Sequence, residues 1–251
     1  MKFTIDFATY SDIGKREINE DYVKTTTIDD KRCFVLCDGL GGHGMGEVAS
    51  QTVGDVFDSC FESNDEIKLF LPTAFEAAQQ ILLAKQKENH AEMKMKTTCV
   101  SVVIDEKKAY IGHIGDSRAY VFRKNEVYKR TLDHSVPQML ALAHEIKESE
   151  IRHHPERNIV MRVLGNEWED KQYELMKPIP LRKCQAFLLC SDGFWELIEE
   201  EDMCRLLKSS ESAKEWLEAM VRVVRKNGEG LNMDNNSAIA MIISGKDKYA
   251  V

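Results

Sequence analysis

Five aspartates in this chain stand where apolar runs begin, end or turn: Asp21, Asp38, Asp116, Asp192 and Asp234. Asp38 closes the run Cys33-Phe34-Val35-Leu36-Cys37, and Asp192 follows Ser191 at the close of Ala186–Cys190. Asp234 precedes a run from Asn236 to Ile243, and Asp21 precedes the β-forming stretch Tyr22 to Ile28. Asp116 lies in Gly115-Asp116-Ser117-Arg118, which reads as a hairpin tip between two strands. In antiparallel sheets the end of one strand and the start of its neighbour share an edge, so several of these acids can meet at one rim. Carboxylates gathered that way repel, and either take up protons or bind cations. Singly, each is a turn or cap residue; jointly, with glycines beside three of them, they read as a metal site. Oxygen ligands without a cage of Cys or His point to magnesium or manganese rather than zinc.

The stretch after Asp38 is the densest in glycine. Gly39, Gly41, Gly42, Gly44 and Gly46 fall within eight residues, with His43 among them, and a helical stripe of Val48, Ala49, Val53, Val56 and Phe57 follows at once. A strand therefore delivers Asp38 to a sheet edge, and glycines let backbone approach whatever sits there. Gly39-x-Gly41-x-x-Gly44 also satisfies the dinucleotide-binding fingerprint on paper. That unit needs a parallel strand straight after its helix. Ile67, Phe70, Ala74, Ala77 and Ile81 continue with a second helical stripe instead, so the metal reading stands above it.

The elements that must position these acids follow from periodicity. Phe3, Ile5 and Phe7 alternate as a first strand; Thr97–Ile104, Ala109–Ile114, Ala119–Phe122 and Ala186–Cys190 read as further strands. Lys124-Asn125-Glu126 turns the chain into a short strand through Val127 and Tyr128. Residues 136–170 are different, being charged with short helical pieces and the pair His153-His154. Ala213, Trp216, Leu217, Met220 and Val224 mark a helix stopped by Asn227-Gly228. Strands outnumber helices and helices come in pairs, which predicts an α+β fold with two antiparallel sheets and helices on their outer faces.

Bulk properties narrow the class. A chain of 251 residues can bury a sizeable core as one domain. The net charge of −8 argues against nucleic acid and anionic membranes and suits a cation binder. No apolar run is long enough to span a membrane, and Asp6 interrupts any secretory apolar core near the start. The seven cysteines lack Cys-x-x-Cys spacing and read as reduced thiols of a cytoplasmic protein. His113 reads as a hydrogen-bonded strand residue, the adjacent His153 and His154 as a solvated pair, and Trp216 as a core anchor.

Taken in order, the pieces resemble the metal-dependent serine/threonine phosphatases of the type 2C family along nearly the whole chain. The matching segments are Arg16-x-x-Asn19-Glu20-Asp21, Asp38-Gly39-x-Gly41-Gly42-His43-x-x-Gly46-Glu47, Thr97-Thr98, Gly115-Asp116-Ser117-Arg118, Thr131-x-Asp133-His134-Ser135, Leu164-Gly165, Ser191-Asp192-Gly193-Phe194-Trp195 and Asp234-Asn235-x-Ser237. The resemblance implies a single catalytic domain, a sandwich of two antiparallel sheets flanked by helix pairs, with a flap over about residues 136–170 beside the active site. It implies two tightly bound Mn2+ or Mg2+ ions held by Glu20, Asp38, the carbonyl of Gly39, Asp192 and Asp234, with Asp21 acting through a water. Asp116 would help hold a weaker third ion, and Arg16 would grip the phosphate. Two such ions lower the pKa of a bridging water, which displaces serine or threonine in line. Substrates are then phosphorylated Ser/Thr proteins, with a cognate Ser/Thr kinase as the opposing partner and a monomer expected.

Three positions depart from the commonest pattern. His43 lies five residues after Asp38, where it serves either as a proton donor or to order the loop. Arg16 lies closer to Gly14 than in most bacterial members. Glu196 stands where others carry aspartate or threonine, and either reaches the third ion or covers a helix start, where an acid is favourable. The residues exclude the competing phosphatase chemistries: no cysteine has an arginine six positions on, and no Asp-x-Asp nucleophile pair is present. The intact carboxylate set speaks against a binding module that has lost catalysis.

Overall fold

The computed structural model describes residues 2–40, 44–63 and 66–246. In chain order the elements are β1 (Lys2–Asp12), β2 (Asp21–Ile28), β3 (Lys31–Leu40), α1 (Gly46–Ser63), α2 (Ile67–Asn89), β4 (Lys96–Thr97), β5 (Cys99–Ile104), β6 (Lys108–Ile114), β7 (Arg118–Arg123) and β8 (Glu126–Arg130). There follow α3 (Val136–Leu142), β9 (Glu174–Leu175), β10 (Ile179–Pro180), β11 (Ala186–Cys190), α4 (Asp192–Trp195), α5 (Glu200–Ser209), α6 (Ala213–Asn227) and β12 (Asn236–Lys246).

The strands form two sheets, one ordered β1-β12-β11-β7-β8 and the other β10-β6-β5-β3-β2, and their paired strands are antiparallel. Side-chain alternation divides each strand between two cores. Phe34, Leu36, Val100, Val102, Val121, Phe187, Leu189, Ile239 and Met241 fill the space between the sheets. The opposite faces of the same strands meet helices: Cys33, Val35 and Cys37 pack under α1 and α2, whereas Leu188, Cys190, Ala238 and Ala240 pack under α5 and α6 with Trp216. Helix, sheet, sheet, helix is therefore the layer order, as expected from the paired helical stripes. No parallel strand follows α1, so the dinucleotide reading fails on topology.

Two local expectations are corrected. Thr97–Ile104 is not one strand, because the chain breaks between β4 and β5 at Thr98, whose hydroxyl accepts from the Asp38 N–H (3.1 Å). The segment 115–117 is not a hairpin tip either: β6 and β7 lie in different sheets, so it carries the chain across the sandwich. Gly115 permits that crossing with φ of 103°, and a Cβ there would stand 2.5 Å from the Thr98 side chain. The tight turn falls one strand later, where Lys124 (φ 55°) and Asn125 (φ 60°) join β7 to β8 in the doubly left-handed geometry that suits twisted hairpins.

Candidate metal centre

Register and alternation bring the acids to one rim. Asp21 faces Asp38 across β2 and β3. Asp38 shares a strand face with Phe34 and Leu36, and Asp21 shares one with Val23, so both carboxylates belong to the inter-sheet side where the apolar filling ends. The facing sheet supplies Ser191, just past β11, and Ser237 of β12. Ser191 Oγ donates to Asp21 Oδ2 (2.8 Å) and accepts the Ser237 N–H (3.0 Å), closing the rim between the two sheets.

The remaining acids reach this rim from short connections. Asp192 opens α4 and accepts from the Gly193 N–H (2.5 Å). Asp234 accepts from the Asn235 N–H (2.8 Å) and from Arg16 Nη2 (2.6 Å). Asp116 comes from the crossing segment, with its carbonyl held by Trp195 Nε1 (3.0 Å). Glu20 is placed by its own backbone: its N–H donates to Asn235 Oδ1 (2.8 Å) and its carbonyl accepts the Gly39 N–H (3.0 Å). At Gly39 a Cβ would lie 2.3 Å from the Gly46 carbonyl oxygen, so only glycine lets β3 pass this close to the start of α1.

Electrostatics describe a site short of positive charge. Asp38 and Asp116 are pushed well above the usual carboxylate range, first by burial and next by the Asp192 charge. Asp21 rises to about 7 through burial, outweighing its hydroxyl donors, with Asp192 and Asp234 adding repulsion. Asp192 also rises to about 7, through burial and then Glu196 and Asp234. Glu20 is raised by burial and by Glu47. Arg16, half exposed, faces Asp234 and Glu20, while Arg118 offsets part of the rise at Asp116. Asp21 Oδ1 is buried without a hydrogen-bond partner. An orphaned carboxylate oxygen among mutually repelling acids, all oxygen donors, fits hard divalent cations.

Mutual repulsion ties Asp21, Asp38, Asp116, Asp192 and Asp234 together, and Asp192 and Asp234 line a cleft with Arg16 and Glu196. Glu196 is present but engaged, since its Oε2 accepts from Arg157 Nε of the 136–170 segment (2.9 Å). His43 lies outside the described residues. Sequence reasoning missed two positioning residues. Asn235 Nδ2 donates to the carbonyls of Ile13 (2.9 Å) and Ile18 (3.0 Å), which pins the loop carrying Arg16 and Glu20. Arg157 ties the 136–170 segment to α4, and nothing in its local pattern signals that. A second group, His113, His134 and Glu174, offers ligand atoms within 4.8 Å of one another. The Gly115 N–H donates to His134 Nδ1 (3.1 Å), which leaves the imidazole proton on Nε2, the atom facing Glu174. That tautomer cannot ligate through Nε2; His113 donates from Nε2 to the Leu132 carbonyl (2.7 Å), which leaves its buried Nδ1 without a hydrogen-bond partner.

A family described as protein phosphatase 2C matches residues 9–236, most of the chain and a span that includes the five aspartates. The chain belongs to the protein phosphatase 2C family. Among curated relatives of this phosphatase, the serine/threonine phosphatase stp of Listeria innocua is 30% identical over 223 residues, covering 86% of each chain. The serine/threonine protein phosphatase PstP of Mycobacterium tuberculosis is 30% identical over 222 residues, 85% of this chain and 41% of its own. Among solved structures, the serine/threonine phosphatase Stp1 of Staphylococcus aureus superposes with a TM-score of 0.86 at 30% identity, covering 96% of both chains. The PstP catalytic domain in complex with two manganese ions gives 0.81 at 25% identity, covering 97% of this chain and 100% of that one.

Proposed function

We propose that this phosphatase hydrolyses phosphoserine and phosphothreonine in proteins with a pair of Mn2+ or Mg2+ ions, opposing a serine/threonine kinase. The observation that carries the reading is the convergence of five aspartates from both sheets on one rim, with their proton affinities raised by burial and by one another. The names of the relatives support the phosphoprotein substrate, and the two manganese ions of the PstP domain support the metal class.

Asp38, Asp192, Asp234, Glu20 and the Gly39 carbonyl would hold the pair. Asp116, with Asp192, would hold a looser third ion. A place for Glu196 there requires its ion pair with Arg157 to open. When bound, such ions lower the pKa of water and neutralise phosphoryl oxygens. The chain itself does the rest. Asp21 is fixed by Ser191 and keeps one oxygen free to accept a hydrogen bond from water. Arg16 presents a planar fork suited to two phosphate oxygens, held at the cleft by Asp234 until substrate competes for it. The cleft, about 330 Å3, is lined by Arg157, Asn158, Leu231 and Met233 beside Arg16, Asp192 and Asp234, leaving room for the polypeptide next to the phosphate. Calorimetric titration with manganese tests the assignment. Two tight sites in the wild type are expected, and their loss in Asp192→Asn; full tight binding in that variant would overturn it.

A further inference from the structure

Every residue of the crossing segment 115–118 is tied to a neighbour. The Gly115 carbonyl accepts from the His134 N–H (2.9 Å), the Asp116 carbonyl from Trp195 Nε1 (3.0 Å), and Ser117 Oγ shares a hydrogen bond with Thr98 Oγ1 (2.8 Å). Arg118 grips Asp133 with two prongs, Nε to Oδ1 (2.9 Å) and Nη2 to Oδ2 (2.6 Å), and both side chains are buried. A buried ion pair gains little over well-packed apolar side chains, so stability alone gives no reason for one here. Its two parallel bonds do fix the plane of the guanidinium.

That plane lies against Trp195, with Arg118 Cζ 3.4 Å from the ring centroid, a cation–π contact out of water. Trp195 closes the single turn of α4 that Asp192 opens. Arg118 therefore holds the indole by its face while the indole N–H holds the Asp116 carbonyl. Asp116 stands two residues before Arg118, and Asp192 three before Trp195. The two contacts thus staple the segment carrying one acid to the turn carrying the other, against the repulsion between their carboxylates.

We propose that Arg118 and Trp195 are positioning residues, whose stack and indole hydrogen bond hold Asp116 at the spacing from Asp192 that binds the looser divalent ion. This rests on the assignment of that ion to Asp116 and Asp192. The plainer alternative is that both side chains only fill the core. Trp216 supplies a matched control, because its Nε1 also donates to a backbone carbonyl, that of Met203 (3.0 Å), and it lies in the same apolar cluster as Trp195.

The test follows free Mn2+ by electron paramagnetic resonance as the full chain is titrated into the millimolar range. Trp195→Phe keeps an aromatic face and loses the N–H; Arg118→Lys keeps the charge and loses the plane and the two-pronged grip. Both should retain the tight pair and bind the looser ion about tenfold more weakly, the size expected when a residue behind a metal ligand is lost. The Mn2+ concentration for half-maximal hydrolysis of a phosphothreonine peptide should rise in step. Trp216→Phe should lower Tm in chelator yet leave the looser ion's affinity as in the wild type. Either of the first two variants decides if the other does not fold. Wild-type affinity for the looser ion in a folded Trp195→Phe or Arg118→Lys, with that affinity lost in Asp116→Ala, would overturn this inference alone. An equal weakening in Trp216→Phe would do the same. Wild-type affinity in Asp116→Ala would overturn the assignment of the ion as well.

Discussion

At the scale of single residues, the centre is dominated by charges that oppose one another. Asp38 faces Asp21 across a strand pair and feels Asp192, Asp116 and Asp234 as well. Asp38→Asn keeps the volume and removes the charge, so the fold should survive while kcat on a phosphothreonine peptide falls at least about a hundredfold. Retention of more than about a tenth of wild-type kcat would refute its role at the centre of the pair. Arg16 has a plainer alternative. Its pair with Asp234 is exposed on both sides, worth only about 0–1 kcal/mol of stability. If it grips phosphate, Arg16→Ala should raise KM several-fold and Arg16→Lys should recover part of that; unchanged kinetics with a small drop in Tm would mean a surface ion pair and nothing more. These residues were legible in the sequence because each is an acid or arginine at a strand boundary inside a recognisable motif. Asn235 and Ser191 stood in the same motifs, yet their roles depend on hydrogen bonds across 215 and 170 positions of sequence, which no local pattern reveals.

At the scale of elements, alternation along strands and stripes along helices carried most of the fold. Phe34 and Leu36 against Cys33, Val35 and Cys37 already imply a strand buried on both faces, and the structure puts a sheet on one side and α1 on the other. The crossing at 115–117 was misjudged for a physical reason: glycine, aspartate and serine suit a tight turn and a crossover equally, and only the pairing partners tell them apart. The correction matters, since a crossover places Asp116 between the sheets, where the other acids are. Asp116→Ala should therefore leave two tight manganese sites and change Tm little, yet strongly lower turnover on phosphopeptides. Loss of the tight sites in calorimetry would move Asp116 into the pair, and unchanged turnover would leave it a simple connection. The 136–170 segment joins this site through Arg157 and Glu196, a contact between two charged residues whose separation in sequence hid it.

At the scale of the whole molecule, folding a carboxylate cluster stores repulsion that cations relieve. Asp21 and Asp192 both rise from an ordinary carboxylate value to about 7 on folding. A raised folded pKa stabilises the native state below the unfolded pKa, and that contribution is lost as pH rises through the folded one. In chelator, Tm should fall as pH rises from about 5 to about 8, and saturating manganese should remove most of that fall. Asp38→Asn should blunt the same slope, because one of the repelling charges is gone. A metal-free Tm that stays flat or rises over this window would show that the acids are not strained in the native state. Cys33, Cys37, Cys99 and Cys190 are buried inside the cores, and the half-buried Cys60 and Cys204 do not line the cleft, so the proposed chemistry uses water and oxygen ligands rather than thiols. The most direct measurement is therefore hydrolysis of a phosphothreonine peptide with chelator, with manganese restored, and after thiol alkylation of the folded protein. Activity should vanish in chelator, return with manganese and survive alkylation; full activity in excess chelator, or complete loss on alkylation of a protein that stays folded, would contradict a metal-dependent phosphatase.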